Sequence, residues 1–228
     1  MRPSGRCSPA VRSVRPSHSC PTPARRHGRA GLAALLAVTA AAALWFVVQK
    51  ALLYGSFDPA AYDTLWPRRF GLIAHLAGGA VAILVGIAQL WLGLTDRTAG
   101  LHRPLGRIYV AAVSVGALGG LYLALTLTDG GFSFSAGLAG LAIAWMVTTG
   151  MAVLAIHRRA LHQHREWMIR SYIVTFAFVT FRFFDYVLSA WKVAPQDQID
   201  SFMAFACWAG PLLLAEPLIQ LRKVRHGG

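Results

Sequence analysis

Acidic side chains are scarce in this sequence: nine Asp and Glu stand against 22 Lys and Arg in 228 residues. Charged residues of both signs make up only 14%, where a water-soluble domain carries about a quarter. So few charges cannot coat a globule of this length, which excludes a domain surrounded by water. Cysteine is sparse too. Cys7, Cys20 and Cys207 form no CxxC pair and no His-rich zinc pattern, which argues against a disulfide framework or a zinc finger. The chain also lacks a GxxxxGK[ST] loop, a nucleophile elbow, an HExxH helix and a GxGxxG turn, the marks of common soluble chemistries. The net charge of +13 does not point to nucleic acid, because most arginines lie in the tail and in short loops rather than along one binding stripe.

Long apolar runs are what the chain has instead. Six continuous blocks span Gly31–Tyr54, Phe70–Thr95, Ile108–Leu127, Phe132–Ile156, Trp167–Ala190 and Ile199–Leu221. Each is close to the ~20 residues that cross a hydrocarbon core as a helix. They do not alternate at a period of two, so a barrel is not indicated. The expected fold is an all-α integral membrane protein, a bundle of six transmembrane helices over residues 31–222, in a lipid bilayer. The first block is longer than the roughly 7–15 apolar residues of a signal-peptide core, so it reads as a retained helix.

Residues 1–30 hold seven arginines, five prolines and no acidic residue. Such a segment buries little apolar area and is expected to be a disordered basic tail; its prolines would break the amphipathic helix of an organellar transit peptide. Counting Lys and Arg orients the bundle. One side collects 17 of them, from the tail, from Arg97, Arg103 and Arg107, from Arg158, Arg159, Arg165 and Arg170, and from Arg222, Lys223 and Arg225. The other side has only Lys50, Arg68, Arg69 and Lys192, with Asp58, Asp63, Asp129, Asp197 and Asp200. This bias places both termini, including the short tail 223–228, in the cytoplasm. The glycines Gly78, Gly79, Gly86, Gly116, Gly119 and Gly120 fall in the second and third blocks, where small residues let helices approach closely. Pro211 and Pro217 should bend the sixth.

Polar residues inside such blocks carry the functional signal, since a charge in a membrane span costs about 2.5–3.5 kcal/mol on insertion scales. His75 and Arg182 lie at similar depth, roughly 8–12 Å below the outer interface by helical rise. Asp185 follows Arg182 by one turn and can pair with it. These three read either as an outward-facing polar site or as an ion pair that pins two helices. Glu216 lies in the inner half of the sixth block, where it can pair with an arginine such as Arg170 or join a proton path. At the cytoplasmic face His102 and His164 head two helices, with His157 and His162 nearby. Two neutral imidazoles from adjacent helices can clamp haem iron or another transition metal; the alternative is contact with lipid headgroups, favoured for His157 and His162. Trp145, Thr148 and Thr149 lie in the inner half of the fourth block, but such hydroxyls usually bond to their own helix.

Three motifs in order resemble a known family. The first is the His-started second helix AHLAGGAVAILVGIAQL. The second is His102, Arg103, Gly106, Arg107 and Tyr109. The third and most specific is His164, Arg165, Trp167, Met168, Arg170, Ser171 and Tyr172, continuing to Arg182. Together they resemble the predicted membrane proteins called domain of unknown function 2306, over about half the chain. The family is bacterial, so the resemblance implies a multi-pass protein of a bacterial inner membrane and lends no activity. A weaker likeness is to helical b-type cytochromes, which implies haem b with His102 and His164 as inner ligands; at the outer face it departs, because His75 has no second transmembrane histidine at its depth. The functional expectation is a haem- or metal-binding membrane redox protein, with His102 and His164 as inner ligands and His75 as an outer ligand or proton carrier; the alternatives are a proton-coupled small-solute transporter (His75, Arg182, Asp185, Glu216) and a non-catalytic accessory subunit.

Overall fold

The computed structural model describes residues 23–95, 100–127 and 130–226. Its helices are α1 (Pro23–Tyr54), α2 (Pro59–Tyr62), α3 (Arg69–Thr95), α4 (His102–Thr126), α5 (Gly131–His157), α6 (Leu161–Ala190) and α7 (Gln196–His226). A 3-10 turn over Asp63–Arg68 leads into α3. All but the four-residue α2 are long and apolar enough to cross a membrane, six spans in total among the described residues. The chain is therefore an all-α membrane protein, and its environment is a lipid bilayer. Large side chains such as Leu125, Phe202 and Leu214 stand exposed on the outside of the bundle, where hydrocarbon rather than water solvates them.

Helix ends differ from the apolar blocks. α1 begins at Pro23, so the last eight residues of the stretch expected to be disordered are helical, and α7 carries the C-terminal tail along to His226. α4 and α6 each start six residues before their apolar blocks, at His102 and Leu161. The reason is physical. Hydropathy reports which turns meet lipid, whereas a helix satisfies its own backbone in water as well and runs past the interface. Residues 1–22, Arg97 and Asp129 lie outside the described residues. α5 and α6 stop just before Arg159 (φ 58°) and Lys192 (φ 50°), whose left-handed backbone ends a helix without the usual glycine. α7 continues through Pro211 and Pro217, which neighbouring helices make tolerable in a membrane.

α3 and α4 form the tightest pair, and glycine makes it so. A Cβ on Gly78 would lie 2.5 Å from the Gly116 nitrogen and 2.6 Å from the Ala112 oxygen; one on Gly119 would lie 2.7 Å from the Gly71 oxygen. α5 then packs on α4, and α6 lies against α5 and α7. The core between them holds Ala82, Tyr109, Val113, Ala117, Trp145 and Val174. α1 stands at the side of this bundle, against α3, with Ala43 its one buried residue among those described. Its Phe46 ring meets Phe178 of α6 edge-on at 4.2 Å between centroids.

Candidate functional site

Gly116, Gly119 and Gly120 open a notch in α4, and His75 of α3 fills it. A Cβ on Gly120 would lie 2.8 Å from His75 Nδ1. Nδ1 lies 2.8 Å from the Gly116 carbonyl oxygen. A carbonyl can only accept, so Nδ1 carries a proton, and in the neutral ring Nε2 keeps its lone pair. This is the arrangement by which proteins orient an imidazole for a metal or a proton donor.

His75 is on the wall of a cavity of about 610 Å³ in the half of the bundle away from the basic helix ends. α1, α3, α4, α5 and α6 all contribute to it. Its walls are mainly aliphatic and aromatic, with Trp145 and Thr175 at its deepest point along α5 and α6, and Lys50, Arg182 and Asp200 at the shallow end. His75 and Arg182, matched by depth in the sequence, thus share one cavity. Asp185 pairs with Arg182 only loosely, 3.9 Å from Nη1. Its Oδ1 instead accepts from Gln196 Nε2 at 2.8 Å.

Glu216 does not belong with them. Arg170 donates to it from Nε at 3.0 Å and from Nη2 at 2.8 and 2.9 Å, the fork geometry of a strong pair. The residues expected to serve a proton-coupled transporter are therefore split: His75, Arg182 and Asp185 lie at one end of the bundle, Glu216 at the other. Around the Arg170–Glu216 pair stand Glu166, with Lys223 Nζ 2.8 Å from its Oε2, and His162, 3.1 Å from its Oε1. Gln220 donates to Glu216 at 2.6 Å.

His164 Nδ1 donates to the Ala152 carbonyl at 2.8 Å, again leaving Nε2 free. His102 is exposed at the first turn of α4, within electrostatic reach of His164. Among the described residues no three of His, Cys, Asp and Glu gather as a metal site, so a metal held by side chains alone lacks its donors. Of the family-motif residues, Arg103 and Arg107 are exposed and Met168 packs on the core. The Arg170 guanidinium lies 4.8 Å from the Trp167 ring centroid. Gly106 lies beside Gln89, whose amide donates to the His102 carbonyl at 2.8 Å and so tethers the start of α4 to α3.

The sequence reading missed a buried hydroxyl chain. Tyr109 Oη lies 2.7 Å from both Ser171 Oγ and Thr175 Oγ1, and Thr149 Oγ1 lies 2.7 Å from Ser171 Oγ. Thr175 donates to the Ser171 carbonyl at 2.8 Å and accepts from Trp145 Nε1 at 2.9 Å. Each hydroxyl has one proton, so the direction is forced: Thr149 donates to Ser171, Ser171 to Tyr109, and Tyr109 to Thr175. Thr148 behaves as expected, donating to Ala144 of its own helix. Tyr172 stacks edge-on against Tyr109, 5.3 Å between centroids. The chain ties α4, α5 and α6 together beneath the cavity floor.

Residues 72–219 match the model of a family described as Predicted membrane protein (DUF2306), and the chain belongs to that family. No curated protein and no solved structure matches it.

Proposed function

Starting from a multi-pass DUF2306 membrane protein, we propose that the chain binds a lipid-soluble ligand within the bilayer, in the His75 cavity. One observation carries the reading: a cavity of about 610 Å³ lies inside the spans and contains an imidazole whose Nδ1 is committed to a backbone carbonyl. Intramembrane ionisable groups are costly and mark functional sites by default. Ligand pockets of this size, mostly apolar with a few polar groups, suit drug-sized molecules.

The redox reading takes a narrower form here. A haem b in this cavity would take His75 Nε2 as its single protein ligand, and bound haem would supply one-electron chemistry. His75 fixes where such a group would be held, and the apolar walls would keep water from it. His102 and His164 are the alternative ligands for the same role, favoured only by the free Nε2 of His164. The absorption spectrum of detergent-purified protein separates the readings. A Soret band that disappears in His75→Leu supports haem in the cavity; a band that survives there and disappears in His164→Leu moves haem to the basic end. No band at all, with a small molecule released on extraction of the wild type and not of His75→Leu, leaves the general reading in place. If nothing co-purifies, it falls.

We place both termini in the cytoplasm of a bacterial cell and the cavity in the outer half of its inner membrane, on the arginine bias. A periplasm-active reporter fused after Asp197 is expected to be active, and one fused after Lys223 inactive; the reverse pattern inverts the assignment.

A further inference from the structure

The cavity wall presents two cations, Lys50 and Arg182, that donate no hydrogen bond to the described residues. Lys50 Nζ lies 5.4 Å from the centroid of the Phe46 ring, and the Arg182 guanidinium lies 5.9 Å from the same ring. Two like charges thus stand beside one aromatic ring. Among the described residues neither has a hydrogen-bond acceptor, and Lys50 has no ion pair at all. The one carboxylate near Arg182, Asp185, stands at 3.9 Å without a hydrogen bond. The carboxylate on the cavity wall, Asp200, accepts from Gln196 Nε2 at 2.9 Å. That single amide holds both carboxylates, donating to Asp185 at 2.8 Å, while its oxygen accepts from Ser189 at 2.7 Å. Gln196 thus donates to both acidic groups, and the two basic ones line the cavity.

Resting on the reading that this cavity binds a ligand, we infer that the ligand is an apolar molecule with one anionic head, a carboxylate or phosphate, seated between Lys50 and Arg182. Converging cations with free N–H groups are what an anion needs, and charge-assisted bonds to them are about twice as strong as neutral ones. The tail then lies along α3 from Leu72 toward Ile83, both on the cavity wall, a rise of about 16 Å at 1.5 Å per residue. It passes His75 and ends at Trp145. An acyl chain matches these walls.

Trp145 provides the readout because it lines the cavity and is otherwise buried. Dibromostearate, a brominated fatty acid, quenches nearby indoles, and its methyl ester has the same tail without the charge. The Trp145 component is the difference between the protein and its Trp145→Phe variant, which removes the signal of the other tryptophans. The acid is expected to quench this component at a concentration about ten-fold lower than the ester, the gain of one charge-assisted bond. In Lys50→Gln/Arg182→Gln the acid should fall to the level of the ester, while the ester itself is unchanged, which also shows that the cavity is intact. Inorganic phosphate in excess should not relieve the quenching. Equal quenching by acid and ester, or a preference that survives the double substitution, overturns the anionic head and leaves cavity binding standing. Relief by inorganic phosphate overturns the amphiphile in favour of a free anion. No quenching of Trp145 by either probe overturns both readings.

Discussion

Gly78→Val is expected to leave almost no folded protein. A Cβ at this position would meet backbone atoms of α4, the Gly116 nitrogen at 2.5 Å and the Ala112 oxygen at 2.6 Å. A flexible side chain could rotate away; a helix backbone cannot, so α3 and α4 must separate along their length. Overpacking costs about 1–3 kcal/mol where side chains can adjust, and here the expected penalty lies at or beyond the upper end. The separation also opens the notch that holds His75. Gly79→Ala is the internal control, because a Cβ on Gly79 has nothing within 4 Å. Size-exclusion yield and melting temperature in detergent should be near normal for Gly79→Ala and collapse for Gly78→Val. Wild-type behaviour of Gly78→Val would mean that the α3–α4 seam is not where the structure puts it.

Arg170→Leu should be the most damaging change at the basic end. The Arg170 and Glu166 side chains are only 12% and 11% exposed, and Arg170 binds Glu216 through two nitrogens. Removing one partner of a buried pair costs about 3–5 kcal/mol, because the remaining charge stays desolvated. Glu216 is 42% exposed, so water screens part of the loss and about 3 kcal/mol is expected. Lys223 stays with Glu166 and Gln220 with Glu216, which softens the effect further. Glu216→Gln should lower the melting temperature far less than Arg170→Leu. In the double variant Arg170→Leu/Glu216→Leu part of the loss should return, since both ends of that pair are then apolar. Additive losses in the double variant would show that the two residues are not coupled.

The architecture was legible because it is written in hydropathy, a property each segment carries alone. The same is true of depth along a helix, which is why His75 and Arg182 could be matched before their shared cavity was seen. The Arg170–Glu216 pair was legible as one of several options, since an acid near the inner end of the last span needs a cation and few are at hand. The hydroxyl chain was not legible. Tyr109, Thr149, Ser171 and Thr175 come from three helices, and nothing in the sequence around any of them records the rotation of its helix relative to the others. Thr149 in particular looks like Thr148 beside it, yet one bonds across helices and the other along its own. Lys50 was read only as a flanking charge for orientation, because a lysine four residues before a helix end usually reaches out to the interface. Asp185 was expected to serve Arg182; what draws it away is Gln196, eleven residues on and at the start of another helix.

α1 contributes Phe46, Lys50 and Tyr54 to the cavity while burying only Ala43 among its described residues. One whole side of the chamber is thus a wall that the rest of the protein scarcely grips. A ligand of the kind proposed above, dissolved in acyl chains, would enter sideways past such a wall without ever meeting water. Occupancy would then follow how abundant that molecule is among the surrounding lipids, and a change of leaflet composition would fill or empty the chamber with no change in the medium.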